Sequence, residues 1–251
     1  MNVTPVKGLA LSHPDRIDLT AIGVPENRLF FMVDPGGAMV SADRFGPMQQ
    51  IRAAFNPAQD ALTLTFPDGS GVEGDAAGAG DAVDTDFYGR PVASHVVPGR
   101  FAEALSAYIG LEVRLLRTDK PGDGSDVHHL TLVSRASVDA LARMGGATGD
   151  IDSRRFRMLF ELDGCEPYEE DTWDERLLCI GGCTVRVCGQ VPRCVITTQS
   201  PATGKKDFET LKALATSRGR MTNGTGLPFG MYAEVEVPGR VGVGDPIMLL
   251  P

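Results

Sequence analysis

The chain has 251 residues, 42% hydrophobic and 23% charged, enough to bury one large core or two small ones and too long for a disulfide-stapled miniprotein. With 24 Lys and Arg against 33 Asp and Glu, its formal net charge of -9 excludes a dedicated nucleic-acid binder, because phosphate neutralisation needs a concentrated excess of cations; a local basic pocket stays compatible with it. No apolar run approaches the ~18 residues that span a bilayer, and residues 1–13 carry Pro5, Lys7, Gly8 and His13 where a signal peptide needs an apolar core, so a cytoplasmic protein without a membrane partner is expected.

Along the chain, Arg28 to Val33 is apolar and runs through the turn Asp34-Pro35-Gly36-Gly37 into Ala38 to Ser41, a predicted hairpin. Asp60 to Phe66 alternates Leu62, Leu64 and Phe66 with Thr63 and Thr65, the pattern of a half-buried strand. Pro67 to Asp81 holds five glycines and reads as a surface excursion, and Val92 to Val97 as a further strand. From Gly99 the character changes: Phe101, Leu105, Tyr108 and Ile109 recur at helical spacing and Gly110 stands at the left-handed cap position. This change places a domain boundary, dividing the chain into residues 1–98 and 99–251.

Lys120 to Asp126 reads as a loop, and Ser134 as the N-cap of a helix through Val138 and Leu141 to Gly145-Gly146. Arg155 to Leu162, Leu177 to Cys188 with a break at Gly181-Gly182, and Cys194 to Thr198 are strand-like. Asp207 is expected to cap a helix carrying Phe208, Leu211 and Leu214, and the C-terminus alternates from Tyr232 to Val237, turns at Pro238-Gly239 and closes with Ile247 to Leu250. The sum is a β-rich α+β protein with few helices. No G-x-G-x-x-G follows a strand, which disfavours a dinucleotide-binding fold.

Five cysteines, an odd number confined between Cys165 and Cys194, argue against a secreted disulfide framework. The spacing Cys179-x3-Cys183-x4-Cys188-x5-Cys194 fits neither paired zinc knuckles nor ferredoxins, and no histidine lies within the segment, so neither a zinc nor an iron–sulfur site is expected. Alternation puts Cys183, Val185 and Val187 on one face and Thr184, Arg186 and Cys188 on the other. Cys165, Cys179, Cys183 and Cys188 read as small buried hydrophobes. Cys194 differs: it follows Pro192-Arg193, and a guanidinium beside a thiol favours the thiolate that binds soft metals or attacks electrophiles. The competing reading is a packed thiol with Arg193 in solvent.

Lys7, Arg28, Arg44 and Arg157 each flank apolar strand residues, either as solvated ends or as an anion site if they converge. The acidic run Glu166 to Glu175 reads as a solvated loop anchored by the only tryptophan, Trp173, with Glu170 or Asp171 either capping a turn or delivering a proton.

Five stretches occur in order: Pro5-Val6-Lys7; Asn27-Arg28-Leu29-Phe30 with Ala42-Asp43-Arg44; Phe156-Arg157; Tyr168 to Trp173; and Arg193 to Thr198 followed by Pro201-Ala202-Thr203-Gly204. With Phe229 to Tyr232 and Val243 to Pro246, they resemble the MOSC family over essentially the whole chain, in the branch that carries an N-terminal β-barrel domain and includes amidoxime-reducing proteins. The resemblance implies a β-barrel-like domain over 1–98 packed on a MOSC domain over 99–251. It further implies a molybdenum cofactor (Mo-molybdopterin), with Cys194 as metal ligand and catalytic thiolate. Lys7, Arg28, Arg157, Arg193, His128, Tyr232 and Arg44 would contact the cofactor, and Asp171 is the candidate for proton delivery. Gly8, Val127, His128 and Leu159 depart from the family pattern and remove side-chain donors.

The implied activity is removal of oxygen from N-hydroxylated small molecules, amidoximes and hydroxylamines, at the Cys-ligated molybdenum. The sequence runs to Pro251 without an appended cysteine-rich segment, so electrons are expected from a separate electron-donor protein that docks in a salt-dependent way. The alternatives are a sulfur carrier or sulfurtransferase with a persulfide on Cys194, and a molybdenum cofactor carrier without turnover.

Overall fold

Residues 1–221 and 226–251 are described by a computed structural model of the chain. The first strand, β1 (Arg16–Leu19), alternates so that Ile17 and Leu19 point inward. β2 (Phe30–Val33) is buried along its whole length and pairs with β3 (Met39–Val40) across the expected turn, where Asp34 Oδ1 accepts from Ala38 N at 2.9 Å. β4 (Arg52–Asn56), β5 (Ala61–Thr65) and β6 (Gly71–Asp75) form a three-stranded antiparallel sheet, with Leu62 and Leu64 of β5 fully buried.

β6 corrects the sequence reading of residues 67–81. Its own residues carry no apolar signal, but the backbone of Gly71–Asp75 pairs along all of β5, and Ala76 behind it is fully buried. β7 (Ala82–Phe87) and β8 (Arg90–Val96) make a hairpin. α1 (Phe101–Ile109) ends as predicted, with Gly110 left-handed at φ 75° and its N–H donating to Ser106 O. β9 (Arg114–Thr118) then returns between β2 and β8 in a five-stranded sheet of order β3-β2-β9-β8-β7.

Phe101 and Leu105 of α1 and Leu115 of β9 share one core with Phe30, Met32, Leu62 and Leu64. The first unit therefore runs to Thr118, past residue 98. The change of character at 99 marks a helix inserted between two strands of one sheet, a feature that composition cannot distinguish from a seam.

In the second unit, β10 (Leu130–Ser134) leads straight into α2 (Arg135–Met144), where Ser134 Oγ accepts from Ser137 N at 3.0 Å, the predicted cap. β11 (Phe160–Leu162), β12 (Leu177–Ile180) and β13 (Cys183–Arg193) follow, then α3 (Thr210–Ser217), β14 (Leu227–Val237), β15 (Gly239–Gly242) and β16 (Ile247–Leu249). The six-stranded sheet has the order β11-β10-β14-β13-β12-β16, with only β10 and β11 parallel. β15 turns away to pair antiparallel with β1, so Ile17 and Leu19 complete the core of the second unit. Among the described residues no helix is long and apolar enough to cross a membrane.

Three further expectations are corrected. Of residues 155–162 only Phe160–Leu162 is strand; Ser153–Phe156 forms a 3-10 turn in which Asp152 Oδ1 accepts from Arg154 N at 3.0 Å. Val195–Thr198 is also a 3-10 turn, because the Thr197 and Thr198 hydroxyls donate back to Cys194 O at 2.9 Å and Val195 O at 2.7 Å. Cys194 thus follows the end of β13 and does not open a strand. Asp207 caps nothing: Glu209 precedes α3, and the Asp207 carboxylate is taken by Arg155.

Candidate functional site

A cavity of about 240 Å³ opens between the two units. Lys7, Arg28 and Tyr88 reach it from the first unit, Arg157, Arg193, Cys194 and Tyr232 from the second, and Asp126 and His128 from the loop joining them. The chain places these groups by backbone constraint. Lys7 is fixed where its N–H donates to Phe30 O at 2.8 Å, beside the Val6–Phe30 bridge to β2. Its Nζ donates to Gly124 O at 3.1 Å and to Asp126 Oδ1 at 2.5 Å. Position 124 has to be glycine, since a Cβ there would lie 1.8 Å from Arg28 O. That close approach seats the 120–126 loop directly on Arg28.

Among the described residues, Arg28, Tyr88 and Arg157 account for three of the six non-glycine residues at positive φ, with values of 57°, 55° and 53°. Such conformations persist only where the surroundings over-determine them, and they cluster at functional sites. The constraints are visible: Arg28 N donates to Thr4 O at 2.7 Å, an Arg28 guanidinium N–H to Arg157 O at 3.3 Å, and Arg157 to Leu9 O at 2.7 Å across the units. Arg193, the last residue of β13, donates to Phe156 O, lies over the Phe156 ring at 5.5 Å and meets Met158 Sδ at 3.3 Å. Its buried Nε has no partner among the described residues.

Four cations therefore face two carboxylates, Asp126 and the exposed Asp43, and burial together with this excess of cations sets the shifts in acidity. Burial lowers Lys7 to about 8 in spite of Asp126, lowers Arg157 to about 9 with help from Arg28, and lowers Arg193 to about 10. Burial pushes Asp126 up, but Lys7 and Arg28 outweigh it and hold the carboxylate at about 2. The two members of the Lys7–Asp126 pair thus shift down for different reasons, burial for the lysine and the neighbouring cations for the carboxylate. Burial and Asp126 push the Tyr232 phenol up.

Cys194 is the exposed cysteine; Cys183 is buried, and Cys165, Cys179 and Cys188 are half-buried, less enclosed than expected. Burial pushes the Cys165 thiol up to about 11 and the Cys188 thiol up to about 12. The alternation along β13 holds, with Cys183, Val185 and Val187 facing the core.

Two candidates lie elsewhere. Arg44 is exposed and does not line the cavity. Asp171 also lies outside it, paired with Arg218, whose guanidinium sits 4.6 Å over the Tyr168 ring. Its neighbour Glu170 is buried, accepting from Ser134 N at 3.2 Å and Ser137 Oγ at 2.9 Å, and so secures the start of α2. Trp173 anchors the acidic loop in the second core, as its residue type predicted. Tyr88 was missed: nothing in Phe87-Tyr88-Gly89-Arg90 beyond a turn glycine signals a cavity rim.

The donor set fits a phosphate-bearing pterin with a soft metal. Half-buried guanidinium forks and a buried lysine outnumber two carboxylates, a buried Nε has no acceptor among the described residues, and a thiol stands at the rim. Two antiparallel β units closing on a cation-rich cleft with a cysteine at its edge define the class: an anion-binding, thiol-bearing β protein. The chain belongs to the MOSC family, matching the MOSC domain over residues 119–248 and the MOSC N-terminal beta barrel domain over residues 1–112.

Over 132 residues it is 39% identical to mitochondrial amidoxime reducing component 2 of Rattus norvegicus, a match covering 50% of this chain and 37% of that protein. Over 133 residues it is 35% identical to mitochondrial amidoxime-reducing component 1 of Homo sapiens, covering 50% and 38%. The chain thus matches well under two thirds of the length of these relatives. The solved YUAD protein of Bacillus subtilis aligns over 98% of this chain and 91% of its own at 12% identity, with a TM-score of 0.46, too distant to carry an argument.

Proposed function

We propose that the protein is a molybdenum-cofactor-dependent reductase that removes oxygen from N-hydroxylated small molecules such as amidoximes and hydroxylamines. The observation that carries this reading is the convergence of Lys7, Arg28, Arg157 and Arg193 with the exposed Cys194 on one cavity in which four cations face two carboxylates. Membership of the MOSC family and identity to amidoxime reducing components support it.

In this reading the four cations hold the pterin phosphate and Cys194 is the protein ligand to the metal. When bound, the cofactor supplies the two-electron redox chemistry. The chain's own residues do the rest. The guanidiniums of Arg28, Arg157 and Arg193 orient the anion through fixed donors, and Asp126 keeps Lys7 Nζ in place. Tyr232 walls the cavity, while Tyr88, a side chain on the rim, borders the path by which substrate enters. Lys7, lowered to about 8, is the cavity cation that gains and loses its proton near neutral pH. Electrons come from a separate electron-donor protein.

The test is metal content per chain in wild type and Cys194→Ser, after expression in a host that makes the cofactor, together with reduction of an amidoxime. Near-stoichiometric molybdenum and turnover, both lost in Cys194→Ser with the fold intact, is the expected result. Molybdenum bound without turnover would make the protein a cofactor carrier. A folded wild type with no molybdenum and cyanide-labile sulfur on Cys194 would make it a persulfide sulfur carrier.

A further inference from the structure

The cysteine segment contains no histidine, but the fold brings one to it from sixty residues upstream. One ring nitrogen of His128, ahead of β10, the Sγ of Cys188 on β13 and a carboxylate oxygen of Glu234 on β14 all lie within 4.8 Å of one another. In the β13–β14 ladder Arg186 stands opposite Glu234 and Val187 opposite Ala233. Cys188 and Glu234 are therefore diagonal neighbours on the outward face.

Among the described residues, the nearby cation Arg186 bonds elsewhere and makes no ion pair with Glu234. Arg186, the cross-strand partner of Glu234, turns away: its Nε donates to Glu236 at 2.6 Å and its guanidinium to Glu175 O at 3.4 Å. Glu234 instead meets His128 Nδ1 at 2.7 Å. Immediately after Cys188 the register of β13 shifts, with Gly189 at φ 77° and its N–H donating to Asp174 at 2.7 Å. Bulges of this kind recur beside functional sites, where they end regular pairing and aim a side chain.

We infer that His128, Cys188 and Glu234 form a binding site for a divalent zinc-class metal ion, distinct from Cys194. The three donors, imidazole nitrogen, thiolate and carboxylate, are the ligand types Zn²⁺ takes, and three of them leave a fourth, open position. The thiolate disfavours the hard ions Mg²⁺ and Ca²⁺. Tetrahedral ligand atoms about 2.0 to 2.3 Å from zinc lie roughly 3.5 Å apart, so the His–Glu separation opens slightly and the widest separation closes by about 1 Å. The His128 and Glu234 side chains are 28% and 56% exposed, free to make that adjustment. Binding exchanges the Cys188 S–H bond for an S–metal bond, and the proton passes to buffer.

This site goes beyond the proposed reductase. His128 borders the cofactor cavity, its ring centroid 5.2 Å from that of Tyr232, and it lies two residues from Asp126. An ion here would hold still the loop that carries the counter-ion of Lys7 and Arg28.

The test is titration of the metal-stripped full chain with Co²⁺, read by absorption, followed by displacement with Zn²⁺. One Co²⁺ per chain is expected, with a thiolate-to-cobalt charge-transfer band and tetrahedral ligand-field bands, all abolished by Zn²⁺. Cys188→Ser removes the charge-transfer band, His128→Asn and Glu234→Gln weaken Co²⁺ binding, and Cys194→Ser leaves the band intact. Absence of the band in wild type, or its survival in Cys188→Ser and loss in Cys194→Ser, overturns the inference. Three ligand variants keep the test decisive if one of them fails to fold. Because no molybdenum is involved, its outcome is independent of the reductase reading.

Discussion

Arg155 and Arg157 are two residues apart and meet opposite fates. Arg155 is 2% exposed, and the fold brings its partner: Asp207 accepts from both terminal nitrogens at 2.9 and 3.2 Å, and Thr197 O accepts at 3.3 Å. Arg157 turns left-handed into the cavity, finds the carbonyl of Leu9, and shares two carboxylates, Asp126 and the exposed Asp43, with three other cations. A buried arginine that serves the fold arrives with a counter-ion. One that lacks it raises the energy of the empty protein and lowers that of the complex with an anion.

The comparison is tested most sharply by matched substitutions. Arg157→Gln removes a charged donor from the cavity, so sulfate affinity and cofactor retention should fall about 10- to 100-fold, the value of about one hydrogen bond to a charged group. Thermal stability of the empty protein should hold or rise. Arg155→Gln should do the reverse. It strands Asp207, which is partly exposed and so softens the loss, and stability should fall by about 2 kcal/mol with sulfate affinity unchanged. Calorimetric melting and sulfate titration of both variants read the contrast, and equal behaviour of the two would dissolve it.

A smaller effect separates the cations by pH. Lys7 has a folded value of about 8 against an ordinary 10.5, so between those limits the unfolded chain holds more protons than the folded one. Stability of the empty protein should therefore rise with pH across that window, while sulfate affinity falls as pH climbs through about 8. Lys7→Gln should flatten both trends, whereas a wild-type affinity flat from pH 7 to pH 9 would contradict the assignment. The smallest effect is expected at Asp171, whose partner Arg218 lies outside the cavity: Asp171→Asn should cost about 1 kcal/mol of stability and leave amidoxime reduction within about twofold. A collapse of turnover would return Asp171 to the chemistry.

What could be read from the sequence was whatever the chain specifies locally. Leu62 and Leu64 announced β5 by alternation, Ser134 announced α2 by its hydroxyl, and Gly110 announced the end of α1 by its lack of a Cβ. β6 was invisible because its reason to be extended lies in β5, not in Gly71–Asp75. Residues 195–198 are β-branched and mimic a strand, yet threonine hydroxyls close them into a turn. At the site, the resemblance named Lys7, Arg28, Arg157, Arg193, Cys194, His128 and Tyr232, all of which line the cavity, along with Arg44 and Asp171, which do not. Convergence is a tertiary fact: Lys7 and Asp126 meet across 119 residues through a glycine that only packing explains.

The pairing of β1 with β15, Arg16 opposite Gly242, has a consequence for biosynthesis. Residues of β1 have to wait for a partner made more than two hundred residues later, so the second unit cannot finish folding until β15 has left the ribosome. Until then Ile17 and Leu19, destined for its core, stay exposed on a nascent chain whose first unit has already formed. β1 is a latch thrown late, and a stretch a chaperone would be expected to shield until then.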